Sequence, residues 1–135
     1  MLHKKVWSER QFLLMIMPAQ RVILINASRL LGDMLRTIIY RSDHLELVQE
    51  FHVNEELPSA IEKAEAEWVI LSLPSIKSIP GWLDNYIAKH PSMRFLAIFP
   101  GSSKVKLKYL DYEEDLEDLS LDDLIQVLEE HTQHA

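Results

Sequence analysis

A strand–helix–strand pattern in residues 21–50 constrains the fold more than any other feature of the chain. Residues 22–25 form an unbroken run of Val, Ile and Leu, which is typical of a strand buried on both faces. Ser28 can cap the following helix, because its hydroxyl can accept a free backbone N–H of the first turn. A second strand begins at Leu45, and a parallel crossover of this kind predicts an α/β domain. The apolar residues of the helix recur with a period of about 3.6 and are expected to face the core: Leu30, Leu31, Met34, Leu35, Ile38 and Ile39.

The same alternation continues along the chain as far as Phe99. We expect a helix capped by Asn54, a third strand over residues 68–73, a helix over residues 81–90 and a fourth strand over residues 94–99. Ser120 can cap a final helix with acids in its first turn. The apolar stripe of that helix should lie on the sheet and consists of Leu121, Leu124, Ile125 and Leu128.

The segment after Phe99 departs from the alternation. Residues 104–110 alternate Lys with Val, Leu and Tyr, which is typical of a strand with one wet face. Only four residues precede it, enough for a hairpin but not for a parallel crossover. We therefore predict that a helix is missing here and that this strand runs antiparallel at the sheet edge. Its side chains Lys104, Lys106 and Lys108 would discourage edge-to-edge aggregation. The alternative is a parallel edge strand after a shortened crossover.

An acidic stretch follows, with six Asp and Glu among residues 111–118. A run of this kind is ordinarily a solvated loop, although it could instead attract a basic partner.

Composition excludes several classes of function. At 135 residues the chain is long enough for one domain with a substantial core. Its net charge of −7 argues against direct nucleic-acid binding, which needs a basic surface. The absence of cysteine rules out disulfides and thiolate metal sites and fits a cytoplasmic protein. No apolar run approaches the roughly 20 residues that span a bilayer, so no membrane association is expected.

Residues 1–19 form an N-terminal extension that is expected to be either a short helix or disordered. Lys4 and Lys5 before an apolar run look like a weak signal peptide, but Glu9 and Arg10 interrupt that pattern. If the segment is helical, its apolar face could dock on a partner or mediate dimerisation. That face consists of Phe12, Leu13, Ile16 and Met17.

Two segments carry a family resemblance. Residues 45–50 read Leu-Glu-Leu-Val-Gln-Glu, and residues 90–95 read His-Pro-Ser-Met-Arg-Phe. Together with the spacing over residues 21–99, they resemble the receiver domain of response regulators in two-component signal transduction. The closest resemblance is to receivers joined to helix-turn-helix output domains. It implies a receiver-like domain over residues 20–135 with a flavodoxin-like, doubly wound sheet of strand order 2-1-3-4-5.

The resemblance also implies where a phosphorylation pocket would lie. Receivers hold Mg²⁺ with two acids, and by motif position these fall on Asn26 and Ala27. The phospho-accepting Asp falls on Ser72, and the receiver Thr or Ser falls on Phe99 or Pro100. An unactivated hydroxyl is a weak nucleophile, and Ala offers no ligand. We therefore expect this degenerate pocket neither to take up phosphate nor to bind Mg²⁺.

These patterns predict a pseudo-receiver, a protein-interaction or dimerisation module in signalling or transcriptional regulation that works without phosphorylation. The alternative is a small-molecule or nucleotide sensor that binds at the crevice where the strand order reverses. We expect no enzymatic activity and no cofactor, because no nucleophile–base pair has a recognisable spacing. Ser72 and Asn26 also have ordinary structural interpretations, as a hydrogen-bonded strand-end residue and a turn residue.

Overall fold

The structure is a computed structural model that describes residues 19–51 and 57–131. Strands and helices alternate through the first four strands and then give way to two consecutive strands and a last helix. In chain order the elements are β1 (Gln20–Ile25), α1 (Arg29–Arg41), β2 (Leu45–Phe51), α2 (Leu57–Ala64), β3 (Trp68–Ser72), a 3-10 turn (Ile76–Ser78), α3 (Leu83–Lys89), β4 (Arg94–Ile98), β5 (Lys104–Tyr109), β6 (Tyr112–Glu117) and α4 (Leu121–Glu130).

The described strands form one mixed sheet of six strands in the order β2-β1-β3-β4-β5-β6. Strands β2, β1, β3 and β4 run parallel to one another, as strand–helix–strand crossovers require. Strand β5 is antiparallel to β4, and β6 is antiparallel to β5. The predictions of an α/β fold and of an antiparallel fifth strand are therefore confirmed.

The sheet is packed between helices on both faces, and the period of two along each strand divides the core accordingly. In β1, Ile23 and Ile25 belong to the cluster that includes Ile61 of α2 and Tyr86 of α3. Their neighbours in the strand face the other side of the sheet. That second cluster contains Val22, Leu24, Leu35, Ile38, Ile39, Leu124 and Leu128, and so joins β1 to α1 and α4.

The prediction that β5 forms the sheet edge is wrong, because β6 lies outside it. The acidic stretch is accordingly not a solvated loop. Its acids at alternate positions stand opposite the lysines of β5, in the pairs Lys104–Glu117, Lys106–Asp115 and Lys108–Glu113. Acidic residues are poor strand formers, but attraction to the lysines opposite them stabilises the extended conformation here. Asp111, with a φ of 60°, makes the tight turn between the strands.

The apolar stripe of α1 is narrower than its sequence predicts. Leu35, Ile38 and Ile39 are buried, as expected, but the side chains of Leu30 and Met34 are 72% and 38% exposed. Met34 lies about 100° of helix rotation from Leu35. It therefore falls beside the face that contacts the sheet, and Leu30 lies on the same side as Met34.

Two sequence predictions lie outside the described residues. They concern the N-terminal face formed by Phe12, Leu13, Ile16 and Met17, and the cap at Asn54. Within residues 19–51 and 57–131, no helix is long and apolar enough to cross a membrane.

Candidate functional site

The candidate site lies at the carboxyl ends of β1, β3 and β4, which meet at the same end of the sheet. The chain leaves β1 toward β2 on one side and reaches β3 on the other, so the order of strands reverses between β1 and β3. In open α/β sheets, ligands bind in the crevice outside the carboxyl ends at such a reversal. Asn26 follows β1, Ser72 ends β3, and Phe99 follows β4. The strand order that brings these residues to the same end of the sheet is the one that the sequence predicted.

Asn26 ties three strand ends together. Its backbone N–H donates to the carbonyl of Phe51 at the end of β2, at 2.7 Å. Its side-chain Nδ2 donates to the carbonyl of Ser72 at the end of β3, at 3.4 Å. The residue has a φ of 59°, in the left-handed region that Asn tolerates better than most residues. The amide thus serves as a turn residue and as a link across the reversal point.

The residues after Asn26 start helix α1. Ala27 is half-buried and packs against the core cluster beneath α1 and α4. The hydroxyl of Ser28 accepts the backbone N–H of Leu31 at 3.2 Å, so the predicted helix cap is confirmed. No acid lies in the first turn of the helix. The two positions directly after β1, where a receiver would have acids, are Asn26 and Ala27.

A second polar group lies beside this turn. Arg36 donates to Glu50 of β2 at 2.6 Å and also to Asp33, one turn earlier in α1. The hydrogen bond with Glu50, followed by that with Asp33, raises the pKa of Arg36 above its ordinary value. The guanidinium also approaches Gly32, where an added Cβ would lie 3.2 Å from one of its nitrogens. These ion pairs engage the guanidinium within the chain and link α1 to β2.

The remaining predicted pocket residues separate from one another. Ser72 is buried at the end of β3, and the backbone N–H of Leu73 donates to the carbonyl of Ile98 at 2.9 Å. Phe99 is buried in the core on the side of α2 and α3. Pro100 is exposed. The structure therefore brings Asn26 and Ser72 together, whereas Phe99 contributes to packing and Pro100 to a surface turn.

No carboxylate from elsewhere in the described chain completes a cation site at this edge. Among residues 19–51 and 57–131, no group of three or more His, Asp or Glu side chains is arranged to hold a metal ion. Magnesium is held by hard oxygen ligands and prefers carboxylates.

A groove of about 440 Å³ adjoins the site, between the loop after β3 and the β4–β5–β6 strands. Its volume falls in the range of small-molecule pockets, roughly 300–1,000 Å³. The apolar part of its wall comes from Pro74, Phe99, Val105 and Leu116, and the polar part from Ser75, Ser102, Lys104, Asp115 and Glu117. Sequence reasoning missed the groove because one wall belongs to β6, which was taken for a loop.

The lysines of β5, predicted to contact a partner, line one face of the β5–β6 hairpin. The Lys106 Nζ lies 3.3 Å from Asp115 and 3.4 Å from Glu113. The Lys108 Nζ lies 2.6 Å from Asp84 of α3, and this hydrogen bond raises the pKa of Lys108. Lys104 is exposed and lines the groove. Two of the three lysines thus have acidic neighbours within the chain, and their contact with a partner stays a prediction.

Comparison with known proteins identifies no family. No protein-family model, curated protein or solved structure matches this chain. The function is therefore argued from the geometry of the carboxyl edge and of the hairpin.

Proposed function

We propose that residues 20–135 form a pseudo-receiver: a flavodoxin-like, cytoplasmic domain related to response-regulator receivers that acts without phosphorylation as a protein-interaction or dimerisation module. The observation that carries this proposal is the hydrogen bond from the Asn26 amide to the Ser72 carbonyl. Its donor and acceptor are both neutral, and they lie between β1 and β3, where the strand order reverses. A receiver would hold Mg²⁺ and phosphate at these positions.

The chemistry of these positions supports the proposal. A phosphoryl group brings a charge of about −1.5 to −2 at neutral pH, which must be balanced by a cation or by hydrogen-bond donors. Ala27 offers no side-chain ligand, and the Ser72 hydroxyl lies on a buried residue. Without an adjacent base, a serine hydroxyl is a weak nucleophile toward a phosphoryl donor. Arg36, on the helix that follows Asn26, is engaged by Glu50 and Asp33.

Surface features support a partner protein or a second copy of the chain as the binding partner. Helix α1 exposes Leu30, Met34 and Tyr40, and Tyr40 is 92% exposed. The net charge of −7 does not favour direct binding to nucleic acid. We propose no enzymatic activity for the domain.

The groove beside β6 favours a second candidate function, that of a small-molecule or nucleotide sensor. Its lining combines the apolar residues Phe99 and Leu116 with the hydroxyl residues Ser75 and Ser102. The charged lining residues are Lys104, Asp115 and Glu117. Pockets of this kind use a few polar groups on an apolar wall to orient a ligand.

Thermal unfolding tests both candidates in one assay. A ligand that binds only the folded state raises the melting temperature, with about 2.7 kcal/mol gained at one hundred times its Kd. The pseudo-receiver should gain nothing from Mg²⁺ beyond the effect of matched ionic strength. The variant Asn26→Asp/Ala27→Asp, which restores an acid pair, is the matched control and should respond to Mg²⁺. A panel of nucleotides, flavins and cyclic dinucleotides tests the sensor, and a flat result across the panel counts against it.

A further inference from the structure

The outer edge of β6 is an open strand edge in the part of the chain that the structure describes. Strand β6 pairs with β5 on one side and with no described strand on the other. All six of its residues are exposed or half-buried. A free strand edge presents a row of backbone N–H and C=O groups that another strand can pair with.

The hydrogen-bond pattern identifies the residues that present these groups. The N–H of Asp118 donates to the carbonyl of Ser103 at 3.0 Å, so this opposite pair faces inward. Antiparallel ladders alternate, and residues two apart along a strand therefore bond to the same side. It follows that residues 112, 114 and 116 bond toward β5. The backbone groups of Glu113, Asp115 and Glu117 point outward.

The same pattern holds on the other side of β5. The N–H of Phe99 donates to the carbonyl of Lys104 at 3.3 Å. Phe95 and Ala97 of β4 lie four and two residues before Phe99, so they bond to β5 in the same way, opposite Lys108 and Lys106. The even-numbered residues of β5 thus bond to β4, which leaves the odd-numbered ones for β6. The two assignments agree.

The charge on this edge excludes a second copy of the same strand as its occupant. The three residues with outward backbone groups all carry carboxylates, and their side chains share one face of the sheet. Antiparallel pairing of β6 with itself would place carboxylate against carboxylate, and like charges directly opposite each other are destabilising. A strand with Lys or Arg at alternate positions would instead meet an acid at each one.

The chain itself demonstrates this complementarity. Strand β5 reads Lys-Val-Lys-Leu-Lys-Tyr, and its three lysines stand opposite the same three acids from the other side. Among the residues that the structure describes, only Lys106 and Lys108 form ion pairs with β6, so the six acids of residues 111–118 outnumber the lysines that contact them. Negative charge is therefore left over for a further basic strand.

The edge is also held in place before any partner arrives. Leu116 packs against the core cluster that contains Leu124 and Leu128 of α4. At the turn, the rings of Tyr109 and Tyr112 stack with centroids 4.7 Å apart, and the Tyr112 hydroxyl donates to Glu114 at 2.6 Å. Preorganisation lowers the entropy lost on association.

We propose that the outer edge of β6 binds an extended, basic segment of a partner protein, in which Lys or Arg alternates with uncharged residues and which pairs antiparallel to β6. This mode is strand addition, in which main-chain hydrogen bonds supply affinity and alternate side chains supply specificity. The inference rests on the proposed function as an interaction module and names the surface and the chemistry of the partner.

The test uses the full chain labelled with ¹⁵N and a peptide Thr-Lys-Val-Lys-Val-Lys-Thr with blocked termini. Titration should shift the amide resonances of Glu113, Asp115 and Glu117, whose N–H groups gain new acceptors, more than those of Glu114 and Leu116. In antiparallel pairing, a lysine opposite an outward residue directs its own N–H toward β6. N-methylation of the lysines should therefore lower the affinity at least about tenfold, since each bond is worth roughly two- to tenfold. N-methylation of the valines should leave the affinity nearly unchanged.

Two protein variants separate charge from edge pairing. Asp115→Asn removes one cross-strand attraction and should weaken peptide binding about two- to fivefold. Glu46→Gln makes the same charge change on β2, the opposite edge of the sheet, and should have no effect. Equal losses in the two variants, equal affinity of both N-methylated peptides, or shifts confined to β2 would each overturn the proposal. The same holds if the three outward amides do not shift.

Failure of this proposal can be distinguished from failure of the proposed function. A chain that binds no basic strand, and that also gains no phosphate, loses this edge assignment but remains a pseudo-receiver. A chain that becomes phosphorylated loses the pseudo-receiver proposal, whatever the peptide does.

Discussion

Reversing one charge on the β5–β6 hairpin tests the register on which the account of this edge depends. The side chain of Lys106 is only 14% exposed and its Nζ contacts both Glu113 and Asp115. In Lys106→Glu, two attractive cross-strand contacts become two repulsive ones, and each such contact is worth roughly 0.2–1 kcal/mol. Because both acids are at least half exposed, screening favours the lower part of that range. Two attractions are lost and two repulsions are gained, so at about 0.5 kcal/mol each the free energy of unfolding should fall by about 2 kcal/mol.

The assay is urea unfolding followed by circular dichroism, with Lys106→Met as the control that keeps the aliphatic stem. That control should lose about half as much as the charge reversal, since it removes attraction without adding repulsion. Adding Asp115→Lys to Lys106→Glu should recover about 1 kcal/mol, which is the coupling expected of directly opposed residues. High salt should reduce the coupling. Strictly additive effects of the two substitutions would refute the register.

Four further predictions concern α4 and the hairpin turn. Leu128→Ala, at a fully buried position between the sheet and α1, should lower the free energy of unfolding by roughly 2–5 kcal/mol in urea. Ser120→Ala should cost about 1 kcal/mol, because Ser120 caps α4 in a capping box with Asp123. The backbone N–H of Ser120, and then its hydroxyl, lowers the pKa of Asp123. The stabilisation that the Asp123 carboxylate contributes is therefore complete above its ordinary pKa of 3.8 and is lost as the pH falls below that value. Asp123→Asn should remove this loss at acid pH, measured as the pH dependence of the melting temperature. The hydrogen bond to Glu114 raises the pKa of Tyr112 to about 12, and ultraviolet titration should find it closer to 10.0 in Glu114→Gln.

Local sequence patterns were sufficient to predict the strands and helices that bury an apolar stripe, and the helices that begin at a capping residue. The run from Val22 to Ile25 became a buried strand, and the hydroxyls of Ser28 and Ser120 cap their helices as predicted. The short, Gly-containing connection after Phe99 also correctly indicated an antiparallel neighbour. In each case the physical cause lies within a few residues of the element.

The last strand could not be predicted in the same way, because its cause is not local. The sequence Tyr-Glu-Glu-Asp-Leu-Glu of β6 shows no clean alternation and contains poor strand formers. It extends because Lys104, Lys106 and Lys108 stand opposite its acids and because Leu116 reaches the core beneath α4. The groove was missed for the same reason, since β6 forms one of its walls.

The candidate site was predictable in position but not in detail. Strand order alone placed Asn26 and Ser72 at one edge, and the structure brings them into contact. The left-handed backbone of Asn26 agrees with its interpretation as a turn residue. The burial of Phe99 depends on the packing of neighbouring strands, and the motif position that assigned it to a pocket did not indicate this.

The most direct test of the pseudo-receiver is the intact mass of the full chain after incubation with acetyl phosphate and Mg²⁺. The neutral contact between Asn26 and Ser72 predicts an unchanged mass, with a phosphorylatable receiver domain as the positive control in the same tube. A species heavier by one phosphoryl group would contradict the account, and most directly so if peptide mapping placed the group at the carboxyl edge of β1 or β3.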